Sequence, residues 1–351
     1  MNLLDCLYIP IGIVTAPLWA RKKRDGWGQR FGHIQEMLQL REGGATRKRV
    51  LLHAVSVGEV NALRALVPML GEQVDVVVST TTDTGLARAV QLFAEIESCE
   101  VVRYPLDCSW MVRRFLDAVK PDVVGLVELE VWPNFVKACV RRDIPIGLIN
   151  GRLSARSFKG YKKLRPLLRP TFRRLAFACM QDASYAERVT AMGVPEARVS
   201  VTDSMKWDSV DVDRASEGAS DRALSIALSM GLDLSRRIVV AGSTGPNEEH
   251  WISQACPDDV QLICAPRKPE RFDEAAAAMV GCTRRSRGFD STKTNTRFLL
   301  DTIGELSTVY ELADVVIVGR SFCNLYGSDP IEPAALGKPV IIGPNNSDFT
   351  D

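Results

Sequence analysis

Short, nearly unbroken runs of Val, Ile and Leu alternate along this chain with segments whose apolar residues recur at helical spacing. That alternation restricts the fold more than any other feature. The runs lie at 50–54, 74–79, 101–104, 123–128, 146–150 and 177–180, and again at 237–242, 261–265, 298–301, 314–319 and 339–342. Strands apolar on both faces need cover on both faces, which is the condition of a parallel sheet between helical layers. The expected class is therefore α/β, and a length of 351 residues suits about two domains. The two sets of runs are separated by WDSVDVDRASEGASDRA, residues 207–223, which is polar and acidic. The reading is a membrane anchor or interfacial helix over 1–24, a first Rossmann-like domain over 25–206, a linker over 207–236 and a second Rossmann-like domain over 237–351. A cleft between the two domains is expected.

The stretch VLLHAVSVGEV, residues 50–60, shows what such a fold does with a polar residue. The apolar run ends in Gly58 and Glu59, and NALRALVPML follows at helical spacing. Glu59 thus sits where a strand hands over to a helix. Two readings apply. A carboxylate in a first helical turn complements the positive end of the helix dipole. The edge outside the carboxyl ends of the strands is also where open α/β sheets bind ligands.

Charge and cysteine content narrow the classes. Nine cysteines, odd in number and with no CxxC pair, give no disulfide framework or zinc site, and a reducing compartment is the simplest setting. His33, His53 and His250 are far apart in sequence, so each reads as structural and no metal is expected. The net charge is only +1, yet residues 152–174 carry nine Lys and Arg with no acid, interleaved with Leu, Phe, Tyr and Pro. A solvated face, a nucleic-acid patch and an anionic membrane surface all fit that run. The N-terminus favours the membrane. Leu3 to Ala20 is apolar, broken by Asp5, Pro10 and Pro17, and is followed directly by Arg21, Lys22, Lys23 and Arg24. A span needs roughly 20 apolar residues, so the length is borderline, and basic residues after it favour the cytoplasmic side. A buried amphipathic helix is the alternative.

Other polar groups collect at strand ends. STTTDTG, 79–85, follows one run; ELEVWPN, 128–134, follows another and puts Glu128 and Glu130 on one face if the strand continues. In the second half, GSTGPNEE, APRKPERF, DTIGEL and GRSFCNLYGSDPIEPAALGKP each follow a run and carry glycine, Arg267 or an acid near a helix start. Such turns suit phosphate, and an Arg can clamp it. No P-loop or GxGxxG fingerprint is present, which lowers the weight of NTP hydrolysis and dinucleotide chemistry and leaves a nucleotide-sugar site.

Taken together, HAVSVGE, STTTDTG, YPLD, ELEVWPN, NGRLSARS, SMKWD, GST followed by EE, PRKPERF, DTIGEL and DPIEPAALGKPVIIGP resemble, in order along nearly the whole chain, the 3-deoxy-D-manno-octulosonic acid (Kdo) transferases. The resemblance implies a GT-B-like fold and inverting, metal-independent transfer of Kdo from CMP-Kdo to a lipid A precursor at the cytoplasmic face of the inner membrane. It implies no cofactor beyond that donor and no nucleic-acid partner. Residues 3–24 and 152–174 would then meet the membrane surface. Carried over residue by residue, the family pattern places the general base on Glu59 and charge-stabilising roles on Glu128 and Lys206. It places CMP against Pro266 and Arg267, then Ile303, Gly304 and Glu305, then Asp329, Pro330, Ile331 and Glu332. The types suit the chemistry, because a carboxylate can take the proton of an attacking hydroxyl and cations can hold a departing phosphate.

The chain departs from the family pattern at several places. Arg320, Tyr326 and Asp203 stand where the family has glycine, Ser328 and Asp329 stand for His and Asn, and Gly245 stands for a histidine. A membrane-attached homologue that binds a nucleotide-sugar or glycolipid without transfer is the alternative that these departures leave open.

Overall fold

The computed structural model describes residues 5, 6, 8, 26–34, 38, 47–205, 207–208, 219–288 and 295–346. The chain divides into two compact units, Met1–Ser209 and Val210–Asp351. In the first, seven strands form one sheet: β1 (Arg49–His53), β2 (Asp75–Thr80), β3 (Cys99–Arg103), β4 (Val123–Val127), β5 (Ile146–Gly151), β6 (Phe177–Met180) and β7 (Val199–Val201). The order is β3-β2-β1-β4-β5-β6-β7, and every pairing is parallel. In the second, β8 (Ile238–Thr244), β9 (Gln261–Pro266), β10 (Thr283–Arg284), β11 (Arg297–Leu299), β12 (Val315–Val318) and β13 (Val340–Ile342) pair in parallel in the order β10-β11-β9-β8-β12-β13.

Continuous apolar runs are needed because successive residues face opposite sides of each sheet. Leu51, Val77, Val124 and Leu126 pack into one core layer of the first unit, while Leu52, Val76, Val78 and Val127 pack into the other. The second unit repeats the plan, with Val240, Ile263, Phe298 and Val316 on one side and Ala241, Leu262, Cys264 and Leu299 on the other. Both sheets reverse their winding once, between β1 and β4 and between β8 and β12. At such a switch point the connections leave in opposite directions and open a crevice outside the carboxyl ends of the strands.

Two expectations change, and a third lies mostly outside the described residues. The range 207–236 contains a helix, Asp221–Met230, in which Ala223, Ile226, Ala227 and Met230 sit in the core of the second unit. Their spacing is that of one helical face, so residues 219–236 belong to the second unit and do not link the two. Strands β7 and β10 carry too few apolar residues to stand out: Val-Ser-Val and Thr-Arg pair only at the sheet margins. The apolar anchor of residues 3–24 falls mostly outside the described residues. Within it, Asp5 is buried and its carboxylate accepts from the Ser109 N–H (2.9 Å), the Ser109 hydroxyl (2.6 Å) and the Asn134 amide (3.2 Å). Among the described residues no helix is long and apolar enough to cross a membrane.

Candidate active site

Glu59 lies at the β1 side of the switch point of the first sheet, in the first turn of the Val57–Ala62 helix. Ser56 caps that helix, and the sequence Ser-Val-Gly-Glu forms a variant of the capping box. The Ser56 Oγ accepts from the Glu59 N–H at 3.4 Å and donates to Glu59 Oε1 at 2.8 Å, while the Val55 N–H donates to Oε2 at 2.8 Å. Both carboxylate oxygens are held, and the residue is only 9% exposed. Burial pushes its pKa from 4.5 to about 7, helped by the negative charges of Glu128 and Glu130 and opposed by the Val55 and Ser56 hydrogen bonds. The two sequence readings of Glu59 are thus compatible: it complements its helix and also carries a titration suited to taking a proton near neutrality.

The STTTDTG segment supports this loop. The Thr82 hydroxyl donates to the Val55 carbonyl at 2.8 Å and accepts from the Gly85 N–H at 3.0 Å. A Cβ on Gly85 would lie 2.7 Å from Thr82 Oγ1 and 2.9 Å from the Val55 oxygen, which only glycine avoids. Beneath the loop, the buried His53 ring stacks on Tyr104 with centroids 3.6 Å apart, and its Nδ1 donates to the Ser79 carbonyl at 3.0 Å. Burial pushes its pKa down to about 3, so it is a neutral structural group.

On the other side of the switch point, β4 ends at Val127, so Glu128 and Glu130 do not continue it as a shared strand face. Glu128 turns into the left-handed region with φ 56°, a strained backbone of the kind found at functional sites. Its N–H still bonds the Ile149 carbonyl at 3.1 Å. Glu130 accepts from the Trp132 indole at 2.9 Å, and burial together with Glu128 raises its pKa. The next helix, Pro133–Val140, is capped by Asp107 of YPLD, whose carboxylate accepts from the Asn134 and Phe135 N–H groups at 3.0 and 2.8 Å. The two motifs therefore form one structure. Lys206 lies outside the described residues. Its neighbour Met205 is fixed at the end of β5, where the Asn150 Oδ1 accepts the Met205 N–H at 3.0 Å.

In the second unit the residues assigned to CMP lie at the end of a strand or after one, at one sheet edge. Pro266 ends β9, and the N–H of the exposed Arg267 bonds the Thr244 carbonyl at 3.1 Å. Ile303 is 78% exposed, Gly304 has φ 83°, and Glu305 precedes the Leu306–Tyr310 helix. The Glu305 carboxylate is already engaged by Arg285 at 3.0 Å and by the Thr302 hydroxyl; despite partial burial these hold it below the usual carboxylate range. Asp329 accepts the Ile331 N–H at 3.1 Å, and Pro330, Ile331 and Glu332 open the Ile331–Ala335 helix. Arg267, Asp329 and Glu332 all act on the buried hydroxyl of Tyr310, whose pKa burial raises. Tyr310, which sequence reasoning missed, packs against Gly242 of β8 and marks where these segments converge.

The sequence also gave no hint of how two acids fix this edge. Glu248, fully buried, accepts from the N–H groups of Gly245 (2.7 Å), Arg320 (2.6 Å) and Phe322 (2.9 Å), tying the loop after β8 to the loop after β12. Glu249 takes a two-pronged bond from Arg271 of PRKPER at 2.9 Å on each oxygen. The departures from the family pattern become intelligible here. Arg320, Tyr326 and Asp203, all in places of glycine, have φ of 60°, 65° and 57°. These three residues hold a left-handed backbone that glycine adopts without strain. At Gly245 a Cβ would meet Cys323 Sγ at 2.9 Å and Leu325 Cδ1 at 3.1 Å, so the 320–325 loop fills the space a side chain would need. The Arg320 guanidinium donates to the Leu325 carbonyl at 3.0 Å. Among the described residues no group of three or more His, Cys, Asp or Glu is arranged to hold a metal ion.

The chain is similar to known proteins in both sequence and fold. A family model described as 3-deoxy-D-manno-octulosonic-acid transferase (kdotransferase) matches residues 25–209. The 3-deoxy-D-manno-octulosonic acid transferase of Bordetella pertussis is 33% identical over 95% of this chain and 80% of its own length. That of Haemophilus influenzae is 30% identical over 86% of this chain and 72% of its own. Among solved structures, a glycosyltransferase from Rickettsia africae has the same fold at 10% identity, with a TM-score of 0.56 over 88% of this chain and 83% of that one. With the family model covering more than half of the sequence and relatives matched over most of their lengths, the chain belongs to the 3-deoxy-D-manno-octulosonic acid (Kdo) transferase family of glycosyltransferases.

Proposed function

We propose that this transferase moves Kdo from CMP-Kdo to a hydroxyl of a lipid A precursor, with inversion at the anomeric carbon and without a metal ion, at the cytoplasmic face of the inner membrane. The observation that carries the reading is Glu59, a held and buried carboxylate at the sheet switch point with a pKa of about 7. In this scheme the acceptor oxygen attacks the anomeric carbon as Glu59 takes its proton, and the bond to CMP breaks on the opposite face. Arg267 and Lys206 meet the negative charge that gathers on the departing phosphate, and Glu128 steadies the positive charge that develops on the sugar ring. The positive end of the Ile331–Ala335 helix, whose Ile331 N–H is already held by Asp329, favours the anionic donor beside it. Residues 3–24 and 152–174 hold the protein at the membrane surface. Support for the second of these comes from the Ala155–Lys163 helix, which buries no residue, and from Leu164 and Leu167, 56% and 61% exposed amid the basic side chains.

The test is to mix the purified protein with CMP-Kdo and a lipid A precursor and follow CMP release, with and without a chelator. Release that needs both substrates, survives chelation and gives the inverted product is expected. The packing of the 320–325 loop into the space above Gly245 favours a second reading, a homologue that binds the donor without transfer. CMP-Kdo binding with no release in the presence of acceptor would establish that reading instead.

A further inference from the structure

Ser56 performs two tasks with one hydroxyl. Its oxygen accepts the Glu59 N–H as the helix cap, at 3.4 Å, and its proton goes to Glu59 Oε1, at 2.8 Å. These tasks are chemically separable, since capping needs only an oxygen, whereas the second bond needs a proton on it. The shorter bond is the one to the carboxylate. With the Val55 N–H on Oε2, it fixes the plane of the carboxylate while leaving each oxygen a second lone pair for a substrate hydroxyl. Val55 is itself held by the Thr82 hydroxyl at 2.8 Å, so the Ser56 proton completes a rigid mount.

We propose that Ser56 is a positioning residue for the general base, its hydroxyl proton orienting the Glu59 carboxylate and stabilising the ionised form that accepts the proton. The proposal rests on the reading of Glu59 as the base. The charged groups around this carboxylate make the hydroxyl necessary. Glu128 and Glu130 face it from the end of β4 and disfavour its ionisation. On the Asp83–Phe93 helix packed beside it, Arg88 is turned to Asn61 at 2.6 Å and Gln91 at 2.7 Å, and Asp83 is taken by Arg30 and Arg103. Among the described residues, the donors to the carboxylate are the Ser56 hydroxyl and the Val55 N–H.

The pH dependence of kcat/KM separates positioning from capping. Ser56→Gly keeps most of the stability of the helix start, adds no charge and has no proton to donate, Ser56→Ala loses both functions, and Ser56→Thr keeps both. With the donor removed, the acidic limb should move up by about one pH unit, the size expected for a hydrogen bond to a charged group. At pH 6 kcat/KM should then fall roughly tenfold. Ser56→Gly should shift the limb as far as Ser56→Ala while melting nearer the wild-type temperature and keeping the KM for CMP-Kdo, and Ser56→Thr should restore the wild-type profile. If Ser56→Gly leaves the limb in place while Glu59→Gln is inactive, the hydroxyl serves only the cap and this proposal fails alone. Transfer by Glu59→Gln at the wild-type rate would instead remove the base reading beneath it.

Discussion

Replacing Glu59 by glutamine changes catalysis and stability in ways that can be measured independently. The amide keeps the shape of the carboxylate and can still accept the Val55 N–H, but it cannot take a proton. Loss of general-base assistance should lower turnover by about 10²–10⁴ with CMP affinity nearly unchanged. The stability effect follows from burial. Glu59 is 9% exposed and its pKa rises from 4.5 to about 7 on folding. A carboxyl raised in the folded state contributes stability that is fully present below 4.5 and is lost as the pH rises through 7, because the unfolded chain ionises first. At 1.36 kcal/mol per unit the loss amounts to about 3 kcal/mol, and glutamine does not suffer it. Urea unfolding of both proteins at pH 5, 6, 7 and 8 should therefore show Glu59→Gln gaining on wild type as the pH rises, most of the change falling between pH 5 and 7. Titrating groups other than Glu128 and Glu130, whose charges couple to Glu59, are common to the pair and cancel in the difference. A stability difference that is flat with pH, or one that moves against the mutant, would refute the burial argument, whatever the activity.

Arg267→Ala should weaken CMP binding by roughly 1.5–3 kcal/mol if its guanidinium makes a charged hydrogen bond to the phosphate, and unchanged affinity by calorimetry would remove it from the donor site. Arg320→Gly removes a side chain from a backbone at φ 60° and should stabilise the fold by about 1 kcal/mol in thermal melts. The same change should lower CMP-Kdo affinity if Arg320 substitutes for the missing histidine; tighter binding would show that it blocks the pocket. Asp5→Ala should cost about 0.5–2 kcal/mol, because the Ser109 N–H loses its acceptor, so a deletion of residues 2–24 would both release the protein from membranes and lower its melting temperature. A deletion variant as stable as wild type would mean that the Asp5 contacts contribute nothing.

Much of the first unit could be read from the chain because its determinants are local. Val50 to His53 and Asp75 to Thr80 become parallel strands since an unbroken apolar run can be buried only on both faces. Gly58 and Glu59 at the end of an apolar run, with NALRALVPML following at helical spacing, mark a helix start. The position of Glu59 outside a strand end followed from the same local pattern. Its titration did not, because the burial that raises it most is set by packing, and the charges that add to it come from Glu128 and Glu130, about seventy residues away, brought near by the pairing of β1 with β4. The conditional sharing of one strand face by those two acids failed because the strand ends at Val127 and Glu128 adopts a positive φ, a choice set by neighbouring strands and not by local sequence.

In the second unit, sequence alone placed Gly245, Arg267, Glu305, Asp329 and Arg320 after strands, which in a parallel sheet puts them at one edge. Only the tertiary structure decided which of these groups are available to a ligand. Glu305 is taken by Arg285, Glu248 by three backbone N–H groups from two loops, and Glu249 by Arg271. A carboxylate in a sequence has no partner until strand order and register bring one within hydrogen-bond distance. Hydrophobic patterning therefore determined the layers and the edge on which polar residues gather. Long-range packing decided which of those polar residues are committed to holding the fold, because burying an acid requires donors that only distant segments supply.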